Sequence, residues 1–189
     1  MIDLKPVFNE WDHTYRDHTG TVYPSVTQIL RRRGLINTRF YNRAGRNRGT
    51  RVHQLTAAVD TGQGLPSVDF TRFDIPLLPY VAGWEEFKQR HVSQFTWVEQ
   101  QFIHTTGGYA GTIDRVLITP EGEVMLVDIK TGRDEPWHVL QLGGYAMAAR
   151  DSGMEIQQVA VVRVTRNGGY LVSLFYVENA IRRWMRVIA

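Results

Sequence analysis

Two aspartates and a lysine, Asp114, Asp128 and Lys130, are the residues of this chain whose types and spacing could do chemistry together. In the run from Glu123 to Lys130, strand alternation puts Asp128 and Lys130 on one side with Val124 and Leu126. An acid and a base inside an apolar face are costly unless they are paired or bind a metal, so the placement is either a structural ion pair or a site. The preceding run sharpens the choice. If the hairpin through Pro120, Glu121 and Gly122 centres on Glu121, Asp114 faces Asp128; a two-residue Glu121-Gly122 turn would shift the pairing by one. Directly opposed residues have β-carbons about 4.5–5.5 Å apart. Two carboxylates that close repel unless one is protonated or a cation lies between them, and a hard divalent ion is the simplest answer. Two carboxylates, such an ion and a lysine suffice for phosphodiester hydrolysis. The ion polarises the phosphate and acidifies a bound water, and the lysine orients that water or stabilises the growing charge. Taken alone, the trio reads equally well as a salt bridge at a strand end.

These residues need a scaffold, and the hydrophobic pattern supplies one. Three runs of alternating β-branched and aromatic residues, Phe95 to Ile103, Tyr109 to Ile118 and Glu123 to Thr131, predict a meander. A helix from about Trp137 to Arg150 follows, then strands near Val159 to Val164 and Tyr170 to Val177, and a last helix from about Glu178. Upstream, Asp17-His18-Thr19-Gly20 predicts a hairpin leading to Ser25 as a helix N-cap. One helix then runs to Gly34 and a second from about Ala44 to Val59. The stretch from Thr61 to Pro79 reads as a long surface connection before a helix near Val81 to His91. The core order is α, β, β, β, α, β. The 189 residues are expected to form one domain, with a mainly helical, basic part over 1–92 and a sheet-bearing catalytic core over 93–189.

Charge is distributed unevenly. Between Asp17 and Asp60 there is no acidic residue, while Arg31, Arg32, Arg33, Arg39, Arg43, Arg46, Arg48 and Arg51 fall within that stretch. Such a block is either a footprint for phosphate or a solvated basic helix face. With no cysteine, thiolate zinc sites, iron–sulfur clusters, disulfides and thiol nucleophiles are excluded, so any metal must sit on oxygen or imidazole. No apolar run approaches the roughly 20 residues of a bilayer span and no signal peptide is evident, so a soluble cytoplasmic protein, of a bacterium or a phage-infected host cell, with no membrane partner is expected.

Taken in chain order, several segments resemble the PD-(D/E)XK nuclease superfamily, specifically its RecB-like exonuclease branch. Arg48-Gly49-Thr50-Arg51-Val52-His53 is similar to the first motif and Gly111-Thr112-Ile113-Asp114-Arg115 to the second. Val127-Asp128-Ile129-Lys130-Thr131 is similar to the third, and Gln141 with Tyr145 to the Q-x-x-x-Y motif. Tyr23-Pro24-Ser25-Val26-Thr27 resembles the opening of the mitochondrial genome maintenance exonuclease and related phage proteins. The literal Pro-Asp is replaced by Ile113-Asp114, and the cysteines of the iron–sulfur relatives are missing.

The resemblance implies an α+β, restriction-endonuclease-like core, a mixed central sheet flanked by helices in αβββαβ order. It implies a Mg²⁺- or Mn²⁺-dependent exonuclease on linear DNA with a preference for single strands, in DNA repair, recombination or phage DNA processing. His53, Asp114, Asp128 and the Ile129 carbonyl would hold the metal, with Glu99 reaching it through water. Lys130, Gln141 and Tyr145 would complete the catalytic face, with His138 beside it. Arg32, Arg43, Arg46, Arg48, Arg51 and Arg115 would contact DNA, and a single-strand-binding or recombination protein would be the partner. Individually, His53 also reads as an ordinary helix histidine, Glu99 as an exposed strand charge and Tyr145 as a tyrosine packed on the sheet, helped by Gly143-Gly144. A structure-specific endonuclease on the same fold, or a catalytically silent nucleic-acid-binding module, are the competing functions.

Overall fold

The computed structural model describes residues 2–9, 14–37, 42–65 and 69–189. Residue 39, one of the arginines of the basic block, lies outside them. The alternating runs of the second half form three long antiparallel strands, β5 (Gln94–His104), β6 (Tyr109–Ile118) and β7 (Val124–Lys130). Helix α4 (His138–Asp151) then crosses over to β8 (Gln158–Val164), which lies parallel to β7, as a helical crossover permits. Strand β9 (Tyr170–Tyr176) returns antiparallel, and α5 (Val177–Ile188) follows.

The hairpin between β6 and β7 has the register expected from a turn centred on Glu121. Arg115 pairs with Val127, Val116 with Leu126, Leu117 with Met125 and Ile118 with Val124. Gly122, at φ 87°, supplies the left-handed turn conformation.

The first 92 residues hold more than the expected helices. β1 (Ile2–Asp3) pairs with β5, so the six-stranded sheet runs β1-β5-β6-β7-β8-β9. β2 (Val7–Asn9), β3 (Thr14–Arg16) and β4 (Val22–Tyr23) make a separate three-stranded sheet that contains the expected hairpin. It is tied to the large one by the Ala110 amide donating to the Pro24 carbonyl at 2.9 Å. Ser25 caps α1 (Val26–Arg32) through a capping box, its Oγ accepting from Gln28 N and its own amide donating to Gln28 Oε1. The long basic helix is α2 (Arg43–Asp60), and α3 (Leu78–His91) follows a 3-10 turn at Ile75–Leu77.

The sheet is covered on both faces, which buries β7 and β8 on both sides. One face packs against α1, α4 and α5 through Val26, Leu142, Ala146 and Trp184; the other packs against α2 and α3 through Val52, Trp84 and Phe87. Gly143 and Gly144, expected to bring α4 close to the sheet, serve helix contacts instead. A β-carbon at Gly143 would strike the Ala180 carbonyl of α5, and one at Gly144 would press on Val26 and Trp184. Among the described residues no helix is long and apolar enough to cross a membrane.

Candidate metal centre

Three adjacent strands bring an acid each to one level. The ladder between β5 and β6 pairs Val98 with Arg115 and Gln100 with Ile113, passing over Glu99 and Asp114. Glu99 has φ 49°, a left-handed conformation uncommon for a residue with a side chain. Ile113 and Val116 share one buried cluster although three residues apart, so strict alternation breaks between them, at the acid. On the other side, Asp114 uses its side chain where a ladder bond would run, Oδ2 accepting the Ile129 amide at 2.6 Å.

Helix α2 lowers His53 onto this opening. Its Nδ1 lies 3.4 Å from Glu99 Oε1 and 3.5 Å from Asp114 Oδ1, and its Nε2 lies 3.0 Å from the Ile129 carbonyl oxygen. The ring therefore sits among the Ile129, Glu99 and Asp114 groups expected to surround a metal. One potential ligand atom from each of His53, Glu99 and Asp114 lies within 4.8 Å of the others.

Asp128 is 1% exposed, and among the described residues neither of its buried carboxylate oxygens has a hydrogen-bond partner. Lys130 Nζ stands 2.6 Å from Asp128 Oδ2 as an ion pair outside hydrogen-bond geometry. The ammonium is held from the other side by Gln141 Oε1 at 3.1 Å, and Gln141 Nε2 donates to the Tyr145 hydroxyl at 2.8 Å. Gln141 and Tyr145, one helical turn apart on α4, thus form a hydrogen-bonded chain to the lysine. His138 is also buried on α4, but its Nδ1 faces Asp134 and the Glu135 amide rather than the acids.

The titration of these groups reflects crowding of charge in a buried place. Burial works against a charged His53, yet Asp114 and Glu99 outweigh it and raise the ring to about 9. Burial, with Asp128 and Glu99 adding to it, pushes the Asp114 carboxyl up. Glu99 moves the other way: burial opposes its charge, but His53 and Arg115 hold its carboxyl below the ordinary range. Tyr145 is raised well above an ordinary phenol by burial and by Asp128.

The residues present fit a hard divalent ion. Asp128, whose buried Oδ1 has no hydrogen-bond partner among the described residues, lines the same cleft as the His53, Glu99 and Asp114 cluster, and an oxygen and nitrogen donor set with no thiolate suits Mg²⁺ or Mn²⁺.

The site opens into a cleft of about 1050 Å³. Of the arginines expected on DNA, Arg46 and Arg48 line it, whereas Arg32 and Arg43 are exposed and do not. Arg51 forks onto Asp74, Nε to Oδ1 at 2.7 Å and Nη2 to Oδ2 at 2.8 Å, which ties α2 to the connecting segment. Arg115 is a correction to the expectation of a DNA contact. It is fully buried behind the acids, and a guanidinium with no exposed surface cannot reach a phosphate. Sequence reasoning missed Arg133 and Tyr15, which also line the cleft. Arg133 had a signal, lying just past the strand that carries Lys130; Tyr15 comes from the small N-terminal sheet and had none.

The family model of the PD-(D/E)XK nuclease superfamily matches residues 74–173, just over half of the chain. The chain belongs to the PD-(D/E)XK nuclease superfamily. Its six-stranded mixed sheet flanked by helices is the restriction-endonuclease-like fold of that superfamily. PD-(D/E)XK nucleases use divalent metals and act on DNA, and the cysteine-free sequence leaves no place for an iron–sulfur cluster. The match covers Glu99, Asp114, Asp128, Lys130, Gln141 and Tyr145 but begins after His53, so the histidine joins the PD-(D/E)XK acids by geometry alone. A comparison with curated proteins gives no match.

Proposed function

We propose that this protein is an exonuclease of the RecB-like branch, hydrolysing phosphodiester bonds of linear DNA with a preference for single strands, in DNA repair, recombination or phage DNA processing. The observation that carries the reading is the convergence of His53, from a helix far upstream in sequence, on Glu99 and Asp114. That helix also carries Arg48-Gly49, part of one of the several segments on which the resemblance to the branch rests. Burial of the acids at the bottom of a cleft favours a strand end entering over a duplex lying across the surface.

His53, Glu99, Asp114 and Asp128 would hold Mg²⁺ or Mn²⁺, with the Ile129 carbonyl beside them. Bound there, the ion supplies a Lewis acid for the scissile phosphate and a more acidic water. Lys130 is pinned between Asp128 and Gln141, so its ammonium is placed to orient the attacking water or to offset charge growing on the phosphate. Tyr145 fixes the Gln141 amide, which keeps its oxygen toward the lysine. Arg46, Arg48 and Arg133 on the cleft wall would grip flanking phosphates.

End-labelled linear and covalently closed circular DNA, single- and double-stranded, tests the proposal with Mg²⁺, Mn²⁺ or EDTA. Release of short products from linear single strands, intact circles and no cutting in EDTA are expected. Asp128→Asn should lower cutting by orders of magnitude in a protein that still folds, because size is kept and charge is lost. Efficient opening of circles would make the protein an endonuclease on the same fold, and robust cutting in EDTA would overturn the metal centre.

A further inference from the structure

Arg115 makes contacts beyond those needed to neutralise one buried acid. Its Nε donates to Asp60 Oδ2 at 2.7 Å, its Nη2 to Thr56 Oγ1 at 3.1 Å, and its Nη1 to both Glu99 Oε1 at 2.8 Å and the Asp114 carbonyl at 2.7 Å. The guanidinium lies over the Trp84 ring, 5.5 Å from its centroid. Asp60 in turn accepts from Trp84 Nε1 and lies 3.5 Å from Lys88 Nζ. Both Arg115 and Asp60 side chains are fully buried. One planar cation therefore joins α2, α3, β5 and β6 at the level where the β5–β6 ladder passes over Glu99 and Asp114.

Asp60 is the counter-charge that permits a guanidinium in this place, since an unpaired buried charge is strongly disfavoured. The Nη1 edge then reaches past Asp60 into the site. It grips the carboxylate of Glu99, whose left-handed backbone must be held by its surroundings, and the main chain of Asp114 itself. The same Glu99 Oε1 faces His53 Nδ1, so what Arg115 fixes is the direction of an acid within the cluster. A lysine could supply the charge but not the fork that spans Asp60, Glu99 and the Asp114 carbonyl.

We propose that Arg115 is a positioning residue of the metal centre, aiming the Glu99 carboxylate at His53 and Asp114 and holding the break in the β5–β6 ladder, with Asp60 as its counter-ion. This rests on the reading of His53, Glu99 and Asp114 as metal ligands. Groups behind a ligand shell commonly change metal affinity by about 10- to 100-fold when altered.

The test is Mn²⁺ binding measured by calorimetry on wild type, Arg115→Lys, Glu99→Gln and the double variant, each shown to be folded by circular dichroism and melting. Arg115→Lys should weaken Mn²⁺ binding at least about tenfold, and the loss should shrink when Glu99 is already Gln, because Arg115 acts in part through that carboxylate. A folded Arg115→Lys variant with wild-type affinity would overturn the proposal, as would an undiminished loss in the Glu99→Gln background. Should the lysine variant fail to fold, Asp60→Asn leaves Arg115 in place and removes its counter-charge. It should weaken Mn²⁺ binding, and less so in the Glu99→Gln background, and an unchanged affinity would overturn the proposal. Wild-type protein that binds no Mn²⁺ would instead remove the metal centre on which the proposal stands.

Discussion

A histidine whose two ring nitrogens face a carbonyl and a pair of carboxylates holds its proton more tightly than a free imidazole does. His53 is in that position, and its pKa of about 9 lies above the ordinary 6.5. The folded state therefore binds this proton more tightly than the unfolded chain does. The resulting stabilisation is fully present below about pH 6.5 and is lost as pH rises through about 9. Asp114 acts in the same direction at lower pH, because its raised carboxyl makes ionisation costlier in the folded state than in the unfolded one. The melting temperature of metal-free protein should fall between pH 6.5 and 9, and His53→Ala should flatten that fall. Scanning calorimetry in EDTA measures both profiles, and parallel curves would show that the ring does not titrate as described. At this scale Asp114, Asp128 and Lys130 were readable because polar residues at alternating positions in apolar strands demand a reason. Arg115 was not, since a lone guanidinium in a sequence looks like surface and its partner Asp60 is far away along the chain.

At the scale of elements, α2 has two duties on neighbouring turns. Arg46 and Arg48 line the cleft, His53 reaches the acids, and Arg51 is spent on Asp74. A block of arginines that reads as uniform therefore divides by helical face. Neutralising Arg46 and Arg48 together should weaken DNA binding and flatten its salt dependence, by about 0.7 in the logarithmic slope for each single-strand phosphate that the protein no longer neutralises. Arg51→Ala should leave the slope alone and lower the melting temperature instead. Binding isotherms at several salt concentrations separate the two, and a double variant with the wild-type slope would place the phosphate track elsewhere. The β6–β7 hairpin was legible because Pro120-Glu121-Gly122 pins the turn and the turn pins the register. The close approach through Gly143 and Gly144 was legible as an approach but not as one to α5 and α1, because a glycine says that something comes near without saying what.

For the whole molecule, the decisive feature is that the site needs both helical layers. The α2 side brings His53 and the cleft arginines, the α4 side brings Gln141 and Tyr145, and the sheet between them carries the acids and Lys130. The αβββαβ order expressed this arrangement in sequence, since each long element has a clear period. Strands β1 and β2 escaped because two or three residues are too few to show one, whereas β3 and β4 were legible through the turn at Asp17-His18-Thr19-Gly20. The metal centre is the claim on which the rest depends, and an anomalous-difference map from crystals soaked in Mn²⁺ tests it most directly. A manganese peak bounded by His53, Glu99, Asp114 and Asp128, and absent from crystals of Asp114→Asn, is the expected result. Crystals of active protein with no peak there, or with manganese bound only elsewhere, would contradict it.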